Sequence, residues 1–313
     1  MGILKYSVKR LFQTIPVLFG ITLACFIILR LMPGDPANLL MGSRATPEAI
    51  EAFQKQLGLD KPIYAQYLGF LKDLLHGSLG KSIFYDQPVT SLILERLPAT
   101  IFLVVYATMI AIIITLPLAT ISALRKDTFI DQSIKGAFVV ALSMPSFWLG
   151  VILILLFSIK FGIFPVSGYG ETLASRLWHL FLPAFTIGLA TASLTIRSLR
   201  SSMIAVLTAD FIDTAKSKGV RAKNVVLKHV LRNALISTIS VLGVHTSWVI
   251  GGTVVIETVF SIPGIGYLFV KSILTRDYPM IQGLTVTFAM LVILINFLTD
   301  ISYSLIDPRV SYD

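Results

Sequence analysis

The chain has 313 residues, 55% of them hydrophobic and only 14% charged, against about 25% charged in a soluble domain, and this excludes an ordinary water-soluble protein. One cysteine, Cys25, excludes an intrachain disulfide, and no Cys/His cluster has zinc spacing. The net charge of +9 would suit a nucleic acid, but its distribution assigns it to membrane orientation instead.

Six runs lack Asp, Glu, Lys and Arg over about the 20 residues a helix needs to cross a bilayer. They are Leu11–Leu29, Leu97–Leu124, Gly136–Ile159, Leu177–Ile196, Ala234–Ile256 and Met280–Thr299. The first follows Lys5, Lys9 and Arg10 but has no small-x-small cleavage site before Arg30, so it reads as a retained anchor. An even number of spans puts both termini on one side. With the termini cytoplasmic, the inside holds 15 basic and 7 acidic residues and the outside 11 and 10, which satisfies the positive-inside rule. The expected class is an all-α membrane protein of six transmembrane helices in a cell membrane (the inner one in a Gram-negative source), with no nucleic-acid partner.

Leu31 to Arg96 is the only large outer segment. Thr46-Pro47 reads as an N-cap with Pro at the first helical position, and Gly58 as that helix's end. A second helix opens at Asp60 and Pro62, carries an apolar stripe of Ile63, Tyr67, Leu71, Leu74 and Leu75, and closes at Gly77. The stripe fits packing on neighbouring spans, with an extracytoplasmic partner as the second reading. Gly80-Lys81-Ser82 resembles the end of a phosphate-binding loop, but Leu75 stands where that loop needs its first Gly and a helix precedes it. No nucleotide site is read in this chain, so ATP hydrolysis would belong to another subunit.

In the third run Met144-Pro145-Ser146-Phe147-Trp148 places Pro145 in mid-span, where a kink is expected. The fourth and fifth runs carry His179 and His245, and Gly251-Gly252 in the fifth permits close helix approach. Between them, Arg197 to Arg232 holds eight Lys/Arg and two Asp. Thr208 or Asp210 is expected to cap a short helix there, with Phe211, Thr214, Ala215 and Lys218 on one face and Gly219 as its stop. The bland reading of this loop is a basic segment that only fixes orientation.

The order of its residues argues for more. Asp213-Thr214-Ala215, three residues, then Gly219, with His229 ten beyond, resembles the cytoplasmic loop of binding-protein-dependent ABC importer permeases, whose pattern is Glu-Ala-Ala, three residues, Gly. Asp for Glu and Thr for Ala are departures from it. Across nearly the whole chain, Leu31-Met32-Pro33-Gly34-Asp35-Pro36, Leu57-Gly58-Leu59-Asp60, Leu97-Pro98-Ala99-Thr100, Ser143-Met144-Pro145-Ser146-Phe147-Trp148, Leu231-Arg232-Asn233-Ala234, Pro263-Gly264-Ile265-Gly266, Arg276-Asp277-Tyr278-Pro279 and Asp307-Pro308-Arg309 look like the first permease of dipeptide, oligopeptide and nickel importers.

The resemblance implies the type I importer fold, a homologous second permease, two ATPase subunits that bind the ATP and Mg, and an extracytoplasmic substrate-binding protein. It also implies that Asp213, Thr214, Ala215, Lys218, Gly219 and His229 belong to an ATPase-coupling loop. The expected division is 1–96 for the first span and outer helices, 97–306 for the transporter core with its loop 197–233, and 307–313 for the tail. Secondary transporters usually carry ionisable residues inside their spans, and the six runs here have none but His179 and His245. A channel would not need the ordered loop, and no nucleophile–base pair suggests an enzyme.

For the cargo, His245, Thr246 and Ser247 with Pro145 are the candidate path residues. Ser237, Thr238, Ser240 and Thr253 add hydroxyls that suit a roomy peptide path, although such residues also serve helix packing. Metal selection needs several ligands held together, and none gather here, so short peptides are expected, with nickel or a metal chelate as the alternative on account of His245.

Overall fold

Without water at the bilayer core, backbone polar groups must be satisfied inside each segment, so long apolar runs become helices. The computed structural model describes residues 3–31, 46–56, 58 and 60–306. Its helices are α1 (Ile3–Leu31), α2 (Pro47–Gln56), α3 (Ile63–Leu75), α4 (Val89–Leu124), α5 (Phe129–Ser143), α6 (Ser146–Leu153), α7 (Leu173–Leu207), α8 (Asp210–Ser217), α9 (Leu231–Val259), α10 (Ile265–Leu274) and α11 (Tyr278–Ile306). Wider π-helical turns prolong α6 over Ile154–Lys160 and, after a single α-helical turn at Ala222–Asn224, precede α9 over Val225–Val230. Among the described residues there is no strand, only an isolated bridge between Lys81 and Pro88. The Met32 to Pro36 part of the first motif, Leu57, Leu59 and the Asp307-Pro308-Arg309 motif lie outside the described residues.

Among the described residues five helices are long and apolar enough to cross a membrane, and the bent pair Phe129–Ser143 with Ser146–Lys160 makes six if it counts as one span. At 1.5 Å per residue the 36 residues of α4 reach about 54 Å against a hydrocarbon core of about 30 Å. The long helices therefore overshoot the uncharged runs, and Arg96, Arg200 and Glu257 stand on helices rather than in loops. The third run is where the sequence reading needs correction. Pro145 does not kink one span; α5 and α6 meet at 102°. Met144, held extended as the residue before proline (φ −91°, ψ 129°), ends α5, and Pro145 is the N-cap of α6.

The chain divides into two units, one of residues 101–262 with those from 292 on, the other of residues up to 100 with 263–291. In the first unit, Ala111, Ala119, Ala123, Phe138, Ala192, Ile196, Leu199, Met203, Ile212, Val225, Val230 and Ala234 form one buried core. Small residues let its helices approach closely. A β-carbon on Gly188 of α7 would stand 2.9 Å from the Ala107 carbonyl oxygen of α4.

In the second unit Val89, Leu92, Ile93, Ile265, Leu268, Met280 and Leu284 form the core. Asp277 ties it together: its carboxylate accepts from the Ser82 hydroxyl and from the N–H groups of Ile83 (3.2 Å), Phe84 (3.2 Å) and, at the start of α11, Met280 (3.3 Å). The Thr100 hydroxyl accepts from the Ile265 N–H at 2.9 Å. The outer-segment signals hold for Thr46, whose hydroxyl accepts from the Ala49 N–H, and for Gly58 and Gly77, which take φ of 65° and 77°. The stripe on α3 does not pack along its length. Tyr67 is buried, its hydroxyl paired with Thr22 of α1 at 3.1 Å, but Ile63 and Leu75 are exposed.

Candidate functional site

The loop between α7 and α9 is built around α8. Acidic Asp210 and Asp213 in its first turn and Lys216 in its last complement the helix dipole. Neither residue expected to cap it does so. Ala209 is the N-cap, without a side-chain bond, while the Thr208 hydroxyl turns back to the Ala205 carbonyl at 2.9 Å. Eight residues with no N-cap bond would not persist alone. Ile212 supplies the anchor: it is fully buried in the core that Leu199, Met203, Val225 and Val230 share.

The stop is as expected. Gly219 takes φ 76°, its N–H donates to the Lys216 carbonyl at 2.9 Å, and the Val220 N–H donates to the Ala215 carbonyl at 3.3 Å. These two bonds are the Schellman pattern, which needs a left-handed residue at the position after the cap. A β-carbon on Gly219 would meet nothing within 4 Å, so the requirement for glycine here is conformational, not steric.

With Ile212 turned inward, Phe211, Asp213, Thr214 and Lys218 are exposed and Ala215 is half-buried. Asp213 pairs with Lys216 across 2.9 Å on the open surface, and the Thr214 hydroxyl returns to the Asp210 carbonyl. His229 is half-buried in the π-helical turn, and its carbonyl accepts from the Asn233 side-chain amide at 2.6 Å. The structure thus gathers Asp213 to Gly219 in one capped element and sets His229 in the turn whose Val225 and Val230 share a core with Ile212. The exposed side of this short helix presents Phe211 beside polar and charged groups.

The second candidate set stands further along α9. His245 is half-buried, the Thr246 hydroxyl donates to the Leu242 carbonyl at 2.8 Å, and the Ser247 hydroxyl reaches the Gly243 carbonyl (3.3 Å) and Asn296 Oδ1 of α11 (2.9 Å). Thr238 and Thr253 likewise bond backbone carbonyls of their own helix; the Ser237 and Ser240 side chains lie outside the described residues. Pro145 is exposed at the α5–α6 break. Among the described residues no three His, Cys, Asp or Glu side chains gather as a metal site, and His179 instead bonds the Ser175 carbonyl through Nδ1 at 2.8 Å.

A third group escaped the sequence reading, which counted its members only as orientation charge. Asp131 of α5 is fully buried. Arg200 of α7 holds its two oxygens in a fork, Nε to Oδ1 at 2.8 Å and Nη2 to Oδ2 at 2.6 Å. Ser122 of α4 donates to Oδ1, while the Asp127 N–H (3.0 Å) and the Lys135 ammonium (3.1 Å) complete Oδ2. The available signal was the Asp131–Lys135 spacing of four in a helix; the Arg200 partner, 69 residues on, left none.

Comparison with known proteins gives a consistent picture. Residues 115–312 match the family described as binding-protein-dependent transport system inner membrane component, and residues 3–104 match that family's N-terminal membrane component. The chain is 40% identical over 314 residues to the oligopeptide transport system permease protein AppB of Bacillus subtilis, covering 98% of this chain and 99% of that one. It is 39% identical to the glutathione transport system permease protein GsiC of Pectobacterium atrosepticum, with 99% of each covered. Among solved structures, the inward-facing MetNI methionine ABC transporter matches with a TM-score of 0.58 at 16% identity, over 69% of this chain and 96% of that one, a likeness of fold.

Proposed function

From a chain that belongs to the family of binding-protein-dependent transport system inner membrane components, and so is a membrane-spanning permease subunit of an ABC importer, we propose a specific assembly, coupling element and cargo. The permease pairs with a homologous second permease. Two ATPase subunits, which bind the ATP and Mg, sit on the cytoplasmic side with both termini and the 197–233 loop, and a substrate-binding protein delivers cargo from outside. Residues 1–96, 97–306 and 307–313 act as outer segment, transporter core and tail.

The observation that carries the reading is α8: a short helix anchored by one buried residue, Ile212, closed by the Gly219 turn, and presenting Phe211, Thr214 and Lys218 outward. Such an element moves as a rigid body when a partner grips its outer side, and both permeases then rock between inward-open and outward-open. Asp213 offers the ATPase an acceptor, half-buried Ala215 keeps the near edge small, and His229 follows in the next turn. The chain itself performs no chemistry.

For cargo we favour short peptides. The named relatives transport oligopeptides or glutathione, and among the described residues no metal-ligand cluster supports the nickel alternative. Uptake of labelled dipeptides and tripeptides and of nickel, measured in cells carrying wild type or His245→Gln, tests this. Peptide uptake in both, without nickel accumulation, is the expected result; nickel accumulation lost in His245→Gln, with no peptide uptake, overturns it.

A further inference from the structure

The buried Asp131 joins three elements: its own α5, α4 through Ser122, and α7 through Arg200. The coupling helix shares a buried core with two of the same elements. Ala119 and Ala123 stand three residues before and one after Ser122 on α4, Leu199 and Met203 one before and three after Arg200 on α7, and all four share one core with Ile212 of α8. The apolar part of this joint is non-directional, so it resists separation but tolerates slip and rotation. The forked Arg–carboxylate contact does fix orientation, because two parallel N–H···O bonds must be kept at once. A buried ion pair is poor evidence of added stability, since desolvation offsets its attraction. What this pair adds to an already packed core is a defined geometry.

Resting on the reading of α8 as the coupling helix, we propose that Asp131 and Arg200 are positioning residues for energy coupling. Their fork holds α5 to α7, and Ser122 ties in the end of α4, so a displacement imposed on α8 moves these three helices as one body. Without the fork, the same displacement is absorbed by local slip before it reaches the spans.

The test uses the whole importer, purified with the subunits that accompany this chain and placed in proteoliposomes with a labelled tripeptide. Two variants are compared with wild type. Arg200→Lys keeps the charge but loses the fork. The pair Asp131→Leu with Arg200→Met removes both charges, so neither is stranded in the core. ATPase subunits should still co-purify and hydrolyse ATP, while peptide taken up per ATP falls about tenfold in the paired variant and several-fold in Arg200→Lys. A purely structural role would lower assembly and hydrolysis together with uptake and leave the ratio unchanged. Wild-type uptake per ATP in an assembled paired variant overturns the proposal; if that variant does not assemble, wild-type uptake per ATP in Arg200→Lys does so. Wild-type uptake per ATP in Gly219→Val, measured beside these variants, overturns the reading of α8 itself, and the pair's role with it.

Discussion

A β-carbon on Gly243 of α9 would overlap Cγ2 of Thr299 on α11 and stand 2.7 Å from its Cβ. Since the clash includes Thr299 Cβ, rotating the threonine does not relieve it. Gly243→Ala is expected to force the two helices apart at a cost of about 1–3 kcal/mol, and Gly243→Val more. Thermal unfolding in detergent should show the loss, and Thr299→Ala should restore part of it in Gly243→Ala. No loss in Gly243→Val would mean that the helices do not meet at this glycine.

Gly219 makes the opposite case. Its space is open and only its φ of 76° excludes other residues. Gly219→Val is therefore expected to reach the membrane at wild-type level and to abolish transport, whereas Gly219→Asn, which tolerates the left-handed conformation at a cost under about 2 kcal/mol, keeps most of it. Ala215→Arg is expected to insert normally and lose both uptake and ATPase co-purification. Equal uptake by Gly219→Val and wild type would remove α8 from the coupling path.

The proposed topology is checked with two exposed serines, Ser78 and Ser217. In a Cys25→Ser background, Ser78→Cys should react with an impermeant maleimide in intact cells and Ser217→Cys only after permeabilisation. The reason is the charge asymmetry, 15 basic residues inside against 11 outside with 7 and 10 acidic ones. Labelling of Ser217→Cys in intact cells would reverse the assignment.

What was legible in the sequence was local. Gly219 declares its turn because the left-handed conformation is rare for other residues, and the apolar runs declare their helices because the bilayer leaves no other way to satisfy a backbone. The N-cap of α8 was misread because Thr208 has a competing local bond, to the Ala205 carbonyl behind it. Pro145 announced a disruption but not its size; a kink and a 102° break begin with the same missing N–H. The Asp131–Arg200 fork was invisible because its members are 69 residues apart and each, alone, is an ordinary basic or acidic residue at a span's end. Asp277 stood inside a recognised motif, but the motif does not say what the carboxylate holds.

That carboxylate yields the last prediction. Asp277 is fully buried and accepts from the Ser82 hydroxyl and from three backbone N–H groups, those of Ile83, Phe84 and Met280. Asp277→Ala would leave these donors in a protein interior without an acceptor, and each unsatisfied buried group costs about 1–3 kcal/mol. Some are recovered by water entering the vacated space, so a loss of at least about 2 kcal/mol is expected, with the 82–84 turn loosened and α11 frayed at its start. Asp277→Asn keeps one acceptor oxygen and the side chain's length, and should lose less. Asp277→Glu keeps the charge but adds a methylene to a packed site, and should fall between them. Thermal unfolding of the three variants gives the order of stability, and hydrogen exchange at Ile83, Phe84 and Met280 locates the damage. Protection at those three amides unchanged in Asp277→Ala would show that the carboxylate does not hold the turn to the helix.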